Sequence, residues 1–377
     1  MSKESEIYAN LGASSSKDGV LKALGKKEST LFAQVIETED PNYYSLMHSD
    51  GVGTKSICSY IAWKETSDTS WFKKLAIDSL IMNIDDIACI NAFDDILLSN
   101  TIGRNFKLIP DQVITEIING YVETCQILAN FGINIRSCGG ETADLGDIVR
   151  TLDINSTVFA KVKKNELIDT KNIKHGDIII GLSSTGKASY EKEENSGISS
   201  NGLTMARAGL IHKSYFEKYP EIIDPNNISN NSFKGNLLFD QKPEGSNLNI
   251  AELLTSPTRT FAPIIKSVCS ELKSEINGII HCTGGGQRKI AKFGINKKYV
   301  KNNFFPIPIV FQEIQKNLKL SLDEMYSVFN MGHRIEIITN EKNYDLISEI
   351  AKYYNIESKV IGHVQDSENG NSVEIVL

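Results

Sequence analysis

The chain lacks most of the features that place a protein in a class at once. Its six cysteines, Cys58, Cys89, Cys125, Cys138, Cys269 and Cys282, form no C-x-x-C pair, and their scatter is not that of a zinc site. Four precede or sit within apolar runs, as buried free thiols do, so a reducing compartment, the cytoplasm, is expected. Positive charge is also short. Forty Lys and Arg face 47 Asp and Glu, and the net charge of -7 excludes a general nucleic-acid binder. It leaves room for a phosphate ligand in a locally positive site. The start, Met1-Ser2-Lys3-Glu4-Ser5-Glu6, has no apolar stretch of the signal-peptide kind. No long apolar run survives either: residues 75–98 are broken by Asp78, Asp85, Asp86, Asp94 and Asp95, which excludes a membrane span. G-x-x-x-x-G-K-[ST] and G-x-G-x-x-G are both missing.

What is present is ordinary globular composition, 41% hydrophobic and 23% charged, over 377 residues, enough for two domains. Patterning predicts strands at Tyr43–His48, Ile96–Ile102, Ile133–Arg136 and Leu152–Val162. It predicts a helix over 71–90 and another that Asp111 caps and Gly132 ends. A hydrophilic stretch, Lys163–Gly176, reads as a linker between domains 1–165 and 175–377. Beyond it come strands at Asp177–Leu182, Ile276–His281, Arg334–Thr339 and Ser358–Val364. Helices are expected from Leu203 to Ile211, at 260–274 and at 343–354. Residues 215–250 show little periodicity and read as a long surface excursion. Strands and helices mix in both halves, so the class is α+β or α/β.

Three segments combine glycine with acid, amide or base directly after an apolar strand. Glycine lets backbone approach a ligand, amides cradle phosphate, and carboxylates hold the accompanying magnesium. The first is Asp50-Gly51-Val52-Gly53-Thr54-Lys55, which reads otherwise as a glycine turn with a solvated lysine. The second, Gly139-Gly140-Glu141-Thr142-Ala143-Asp144, reads otherwise as a turn and a solvated helix start. The third is His281-Cys282-Thr283-Gly284-Gly285-Gly286-Gln287, in which His281 is either a proton-transfer group or a structural strand end. On a helical wheel Asp78 and Asp85 flank the apolar stripe and Asp86 lies opposite, which fits ligands or the rim of a solvated face.

Taken in order, the segments resemble the aminoimidazole ribonucleotide synthetase family. Asp50–Lys55 is similar to its first glycine loop, Ile77–Ile87 to IGxDL…VNDL, and Gly139–Asp144 to GGETAEM. Leu254–Arg259 is similar to L-x-P-T-R, His281–Gly286 to HLTGGG, and Glu324–Gly332 to EMYRTFNCGVG. The resemblance implies an α+β fold of two domains, the N-terminal domains of a homodimer pairing into a β-barrel core. It implies a ligase of purine biosynthesis, using ATP and Mg2+ to close the ring of a small nucleotide substrate. Asp50, Asp86 and Glu141 would hold the metal, with Asp78 and Asp144 in reserve. Gly51, Val52, Gly53, Thr54, Lys55, Gly139, Gly140 and Thr142 would bind the nucleotide. His281, Lys55 and Asp50 would act in catalysis. Ser200, Asn201, Gly202, Thr283, Gly284, Gly285 and Gly286 would meet substrate. Thr258 and Arg259 match a turn with a substrate or packing role, and Glu324 and Asn330 would orient the closing domain.

The departures are also legible. Lys26–Gln34 stands where the family has a glycine-rich segment. Lys187–Ile198 is inserted within the family's SSGPHSNG, whose histidine is replaced by Ser199, and the usual Val-Gly is His333-Arg334. Related enzymes remain as other readings. One is selenophosphate synthetase, whose reactive N-terminal cysteine has no counterpart before Cys58, and another is thiamine-monophosphate kinase. A non-catalytic nucleotide-binding regulator is the reading from a different class.

Overall fold

A computed structural model of the chain describes residues 3–14, 19, 23, 29–227 and 233–377. After helix α1 (Lys3–Asn10), the first half runs β1 (Ile36–Glu37), β2 (Tyr43–Gly51), α2 (Lys55–Thr66), α3 (Lys73–Ala88), β3 (Asp94–Arg104), α4 (Asp111–Ala129), β4 (Ile135–Asp144) and β5 (Leu152–Lys163). Its five strands form one sheet in the order β1-β2-β5-β3-β4.

The second half begins with β6 (Ile178–Ser183), α5 (Leu203–Leu210), α6 (Ser214–Lys218), α7 (Ile250–Thr255), α8 (Ala262–Leu272) and β7 (Ile276–His281). It continues through β8 (Lys297–Lys301), α9 (Ile309–Leu318), α10 (Leu322–Val328), β9 (His333–Thr339), α11 (Tyr344–Tyr353), β10 (Ser358–Asp366) and β11 (Ser372–Ile375). These six strands form a second sheet, β11-β8-β10-β6-β9-β7. Among the strands of the two sheets, parallel pairing occurs only between β3 and β4 and between β8 and β11, so the class is α+β.

The first sheet is two-faced. Along β5, Ile154, Ser156, Val158, Ala160 and Val162 are buried, while Asp153, Asn155, Thr157, Phe159 and Lys161 point the other way. Helix α3 packs on the buried face, with α4 against it and α8 of the second half on a further side. Sequence periodicity predicts one apolar stripe on α3, yet 13 of its 16 residues are buried, Asp78, Asp85 and Asp86 among them. A helix enclosed on all sides has no solvated rim, so each acid needs a partner inside. One apolar cluster runs from Ala33 through α3 to Ile356 and joins the halves.

Several expectations are corrected. Gly139–Asp144 is not a loop but the latter part of β4, because it pairs with β3 from Asn100 to Arg104. Pro110 caps α4, and Asp111 is its first helical residue. Helix α2 was not read from the sequence; its Ile57, Cys58, Tyr60, Ile61 and Ala62 signal is short and interrupted by serines. The 215–250 stretch is no surface excursion: Tyr215, Ile222, Phe233 and Phe239 are buried, widely spaced anchors that periodicity cannot register. Residues 228–232 and 26–28, the latter in the segment lacking the expected glycines, lie outside the described residues.

Candidate functional site

The site forms where α3 meets the end of β2 and the start of the loop after β7. His48 and Asp50 sit on β2, Asp86 near the end of α3, and His281 closes β7. Asp86 Oδ1 lies 2.5 Å from His281 Nδ1, and Asp86 Oδ2 lies 3.2 Å from His48 Nε2. His48 Nδ1 is in turn 2.9 Å from Asn83 Oδ1. On its far side, His281 Nε2 accepts from Arg334 Nε at 2.9 Å and also from Arg334 Nη2. Arg334 Nη2 lies 3.8 Å from Asp85 Oδ2. Asp85 also accepts from Thr260 Oγ1 at 2.8 Å and from the Phe261 N–H. The result is a continuous polar chain, His48–Asp86–His281–Arg334–Asp85, crossing from one half to the other.

Its electrostatics follow from burial and partners. Burial drives the His281 pKa down, Arg334 adds to this, and despite Asp86 it comes to about 3. The ring is therefore neutral, with its proton on Nδ1 facing Asp86 and its Nε2 lone pair facing Arg334. Burial would raise the Asp86 pKa, but the Lys289 charge and hydrogen bonds from His281 and His48 hold it well below the usual range. Burial raises Asp50, opposed by its bond from the Gly51 N–H and reinforced by the nearby Asp86 charge. Asp85 is pushed up to about 7, burial outweighing Arg334 and its hydrogen bonds. Asp50 and Asp86 thus feel each other's charge, and both offer carboxylate oxygen, the donor a hard cation takes.

Glu141 does not join them within one chain. Gly51 pairs with Asn155, Asn155 with Thr101, and Thr101 with Glu141. Glu141 is therefore three strand spacings from Asp50, about 14 Å at the usual separation. It also lies on the open face, whereas Asp50 shares a row with buried Ser156. Gly139, Gly140 and Thr142 lie on the same exposed edge strand. Asp144 is bound 2.8 Å from Arg104 Nε at the strand's end.

Lys55 is also placed elsewhere than a phosphate-binding lysine would be. It is completely buried, with Nζ donating to Asp78 Oδ1 at 2.7 Å and to the Ser256 carbonyl. Asp78 Oδ1 accepts further bonds from Ser200 Oγ at 2.9 Å and from the Thr258 N–H and hydroxyl, both 2.7 Å. Asp78 and Lys55 form an internal ion pair that fixes the Thr258 turn and the Ser200 loop beside α3. In the first loop the Val52 N–H donates to the Ile154 carbonyl at 3.0 Å. A Cβ on Gly51 would stand 2.1 Å from Asn155 Oδ1, so that glycine answers to strand packing. Gly53 and Thr54 form the start of α2, which has no side-chain cap.

The cation that does reach the acidic pair is Lys289, which sequence reasoning missed. It sits in the short turn Gly286–Lys292, donates to Thr283 Oγ1, and stands 4.4 Å over the Phe32 ring. Its charge acts on Asp50, Asp86 and His281. One lysine among Arg288, Lys289 and Lys292 carries no distinguishing sequence signal; only the turn selects it. Gly285 and Gly286 have φ of 99° and 52°, and a Cβ on Gly286 would stand 2.5 Å from the Tyr326 carbonyl. The Thr283–Gly286 turn thus depends on glycine at both positions.

The remaining candidate residues lie in the second half. Gly202 starts α5, with Ser200 and Asn201 before it, and Asn201 Oδ1 is buried without a partner. Arg259 grips Glu191 with Nε at 3.0 Å and Nη2 at 2.5 Å, and the Thr185 carbonyl with Nη1 at 2.7 Å. It fastens the 187–198 insert. Asn330 Nδ2 donates to the Gly197 carbonyl at 2.7 Å, and Glu324 closes a capping box with Ser321. Behind the third loop, Cys282, His333 and Glu336 converge, but Lys301 Nζ lies 2.5 Å from Glu336 Oε1 and supplies the cation there. A cavity of about 320 Å³ lies behind the Thr258–Thr260 turn, between α3, α4 and the insert, away from Asp50 and Asp86.

Comparison with known proteins shows what the whole chain is similar to. Residues 32–162 match the family described as AIR synthase related protein, N-terminal domain. The phosphoribosylformylglycinamidine cyclo-ligase of Methanocaldococcus jannaschii is 33% identical over 348 residues, 91% of this chain and 84% of that protein. That of Methanococcus vannielii is 32% identical over 340 residues, 89% of this chain and 81% of that one. Among solved structures, a chain of a HypE–HypF complex superposes with a TM-score of 0.54 at 14% identity, covering 95% of this chain and 94% of its own. AaThiL complexed with AMPPCP and TMP gives 0.52 at 11% identity, covering 95% and 91%. At those identities the structural likeness speaks for the fold alone.

Proposed function

The chain belongs to the phosphoribosylformylglycinamidine cyclo-ligase family, and from that membership we propose how its residues share the reaction. The enzyme closes a ring at the expense of ATP: formylglycinamidine ribonucleotide and ATP give aminoimidazole ribonucleotide, ADP and phosphate. An amide oxygen is a poor leaving group. Transfer of the γ-phosphoryl group to that oxygen gives an iminophosphate, the amidine nitrogen attacks the activated carbon, and phosphate departs. Positioning and charge neutralisation are what the protein must supply.

The carrying observation is the convergence of Asp50, Asp86 and Lys289 beside the Thr283–Gly286 turn, on a chain about one-third identical to named cyclo-ligases over nine-tenths of its length. Asp50 and Asp86 would hold Mg2+, whose carboxylate donor set they match; bound there, it neutralises phosphate charge. Gly53, Thr54 and the uncapped start of α2 bind phosphate oxygens through their amides. Lys289 takes the role that sequence alone gives to Lys55, and Thr283 and Gly284–Gly286 hold the transferred group. Ser200, Asn201 and Gly202 face the substrate. His281 acts as a positioning residue that orients Asp86, since both ring nitrogens are engaged.

Glu141 and its strand serve across a dimer. The open sheet face carries Met47, Phe159 and Leu97 in one row, Met47 being 70% exposed, and β4 is an exposed edge. A second copy covering that face would close the strands into a barrel and bring its own Glu141 near this chain's acids. The two domains divide between residues 165 and 175. No helix among the described residues is long and apolar enough to cross a membrane, and the cytoplasm, where purine nucleotides are made, is the proposed location.

The test is ADP formation with and without formylglycinamidine ribonucleotide, together with product absorbance. Substrate-dependent release of one ADP per ring closed is expected. ATP binding with no turnover would replace the enzyme with a regulator.

A further inference from the structure

Six cations are buried among the described residues: Lys55, Arg104, Arg207, Arg259, Lys301 and Arg334. Five have an acid within reach. Lys55 meets Asp78, Arg104 meets Asp111 and Asp144, Arg259 meets Glu191, Lys301 meets Glu336, and Arg334 meets Asp85. Arg207 is the exception. It is 7% exposed, its Nε is buried without a partner, and among the described residues it is paired with no acid. A buried guanidinium without an anion is costly, and chains rarely keep one unless something outside the chain completes it.

Its surroundings indicate what that is. Arg207 lies on α5, three residues after Thr204, so the two share a helix face. Thr204 Oγ1 is 3.3 Å from Thr54 Oγ1, and Thr54 caps α2. Helices α2 and α5 therefore bring their starts together, and neither start carries a side-chain cap. Cys58 is one turn into α2, as Arg207 is one turn into α5. Helical side chains lean toward their own N-terminus, so the long Arg207 side chain reaches back to the junction. Two positive helix ends and an unpaired guanidinium make a receptor for a compact, multiply charged anion.

We infer that Arg207, with the facing starts of α2 and α5, binds a phosphate group of a bound ribonucleotide. The inference rests on the cyclo-ligase reading for the identity of that ribonucleotide, but not for the anion site itself. The phosphate is either the 5′-phosphate of formylglycinamidine ribonucleotide or part of the ATP triphosphate, and kinetics separate the two.

The variants are Arg207→Met, which keeps length and removes charge, and Arg207→Lys, which keeps charge. Without ligand, Arg207→Met should melt at or above the wild-type temperature, because an uncompensated charge has left the interior. Ribose 5-phosphate and inorganic phosphate, used as probes, should raise the wild-type melting temperature and leave Arg207→Met unmoved. In turnover, Arg207→Met should raise one KM about 10- to 100-fold with little change in kcat, and Arg207→Lys should recover part of it. A rise for formylglycinamidine ribonucleotide assigns the site to its 5′-phosphate, and a rise for ATP assigns it to the triphosphate. A lower melting temperature in Arg207→Met with both KM values and the phosphate shift intact would make Arg207 structural and overturn the inference. An Arg207-dependent shift in a wild-type chain that never turns over the substrate would sustain the anion site and sink the cyclo-ligase reading alone.

Discussion

His281 Nδ1 and Asp86 Oδ1 stand 2.5 Å apart, although 195 residues separate them along the chain. The contact joins β7 of the second half to α3 of the first, and His281 has no face left for substrate. Replacing His281 with Ala should therefore do more than slow a proton transfer. It would leave Arg334 and Asp86 short of a partner and cost roughly 3 kcal/mol of stability. Urea unfolding reads this directly. An unchanged midpoint with slowed turnover would restore His281 to proton transfer.

Asp86→Asn should raise the magnesium concentration for half-maximal turnover at least about tenfold, since lost ligand charge weakens a cation site directly. A magnesium titration at saturating ATP measures it. An unaltered requirement would remove Asp86 from the metal.

Lys55→Met should lower stability by roughly 3–5 kcal/mol, because Asp78 would lose its buried partner. Asp78→Asn should do likewise, and the double variant should lose less than the sum of the two. Chemical denaturation of all three chains closes the cycle. Simple additivity, with weaker ATP binding as the main effect of Lys55→Met, would return Lys55 to phosphate binding.

Lys289→Met should behave in the opposite way. Its side chain is half-buried at a turn, so folding should change by less than about 1 kcal/mol. Turnover should fall on the order of 100-fold, as for loss of a charge that stabilises a transferring phosphoryl group. Equal rates in variant and wild type would leave the site's cation unidentified.

His333 supplies a pH dependence. Burial lowers its pKa below the ordinary histidine value, against the opposing pull of Glu336. Below about pH 6.5 the unfolded chain therefore takes up a proton that the folded chain refuses. Stability from this group is complete above that pH and declines as pH falls toward the folded value. His281 adds a slope of the same sign. His333→Gln should thus flatten part of the acid-side loss seen in denaturation midpoints, and an unchanged slope would contradict the neutral assignment.

The mixing of strands and helices, the strand that leads toward Asp50, the strand that ends at His281 and the glycine turn after it were readable because each rests on local pattern. Partnerships were not. Nothing in Lys55 or its neighbours reveals Asp78, 23 positions on, as the group that holds it inside. Glycines 139 and 140 look alike in a phosphate loop and in a strand, and only the β3 register decides between them. Asp86 lies opposite the apolar stripe on a wheel, yet it is buried because the second half covers that side. Departures from the family pattern were visible as letters, but that Arg334 reaches His281 and Asp85 emerged only from the packing of β9 beside β7.

The chain from His48 to Asp85 has a hereditary consequence. Its members come from both ends of the sequence, so no contiguous stretch carries a working copy. A hybrid gene joining one relative's front half to another's back half would inherit mismatched counterparts at this seam. Asp85, Asp86, His281 and Arg334 are thus expected to drift together between lineages, and to be transplanted successfully only as a set.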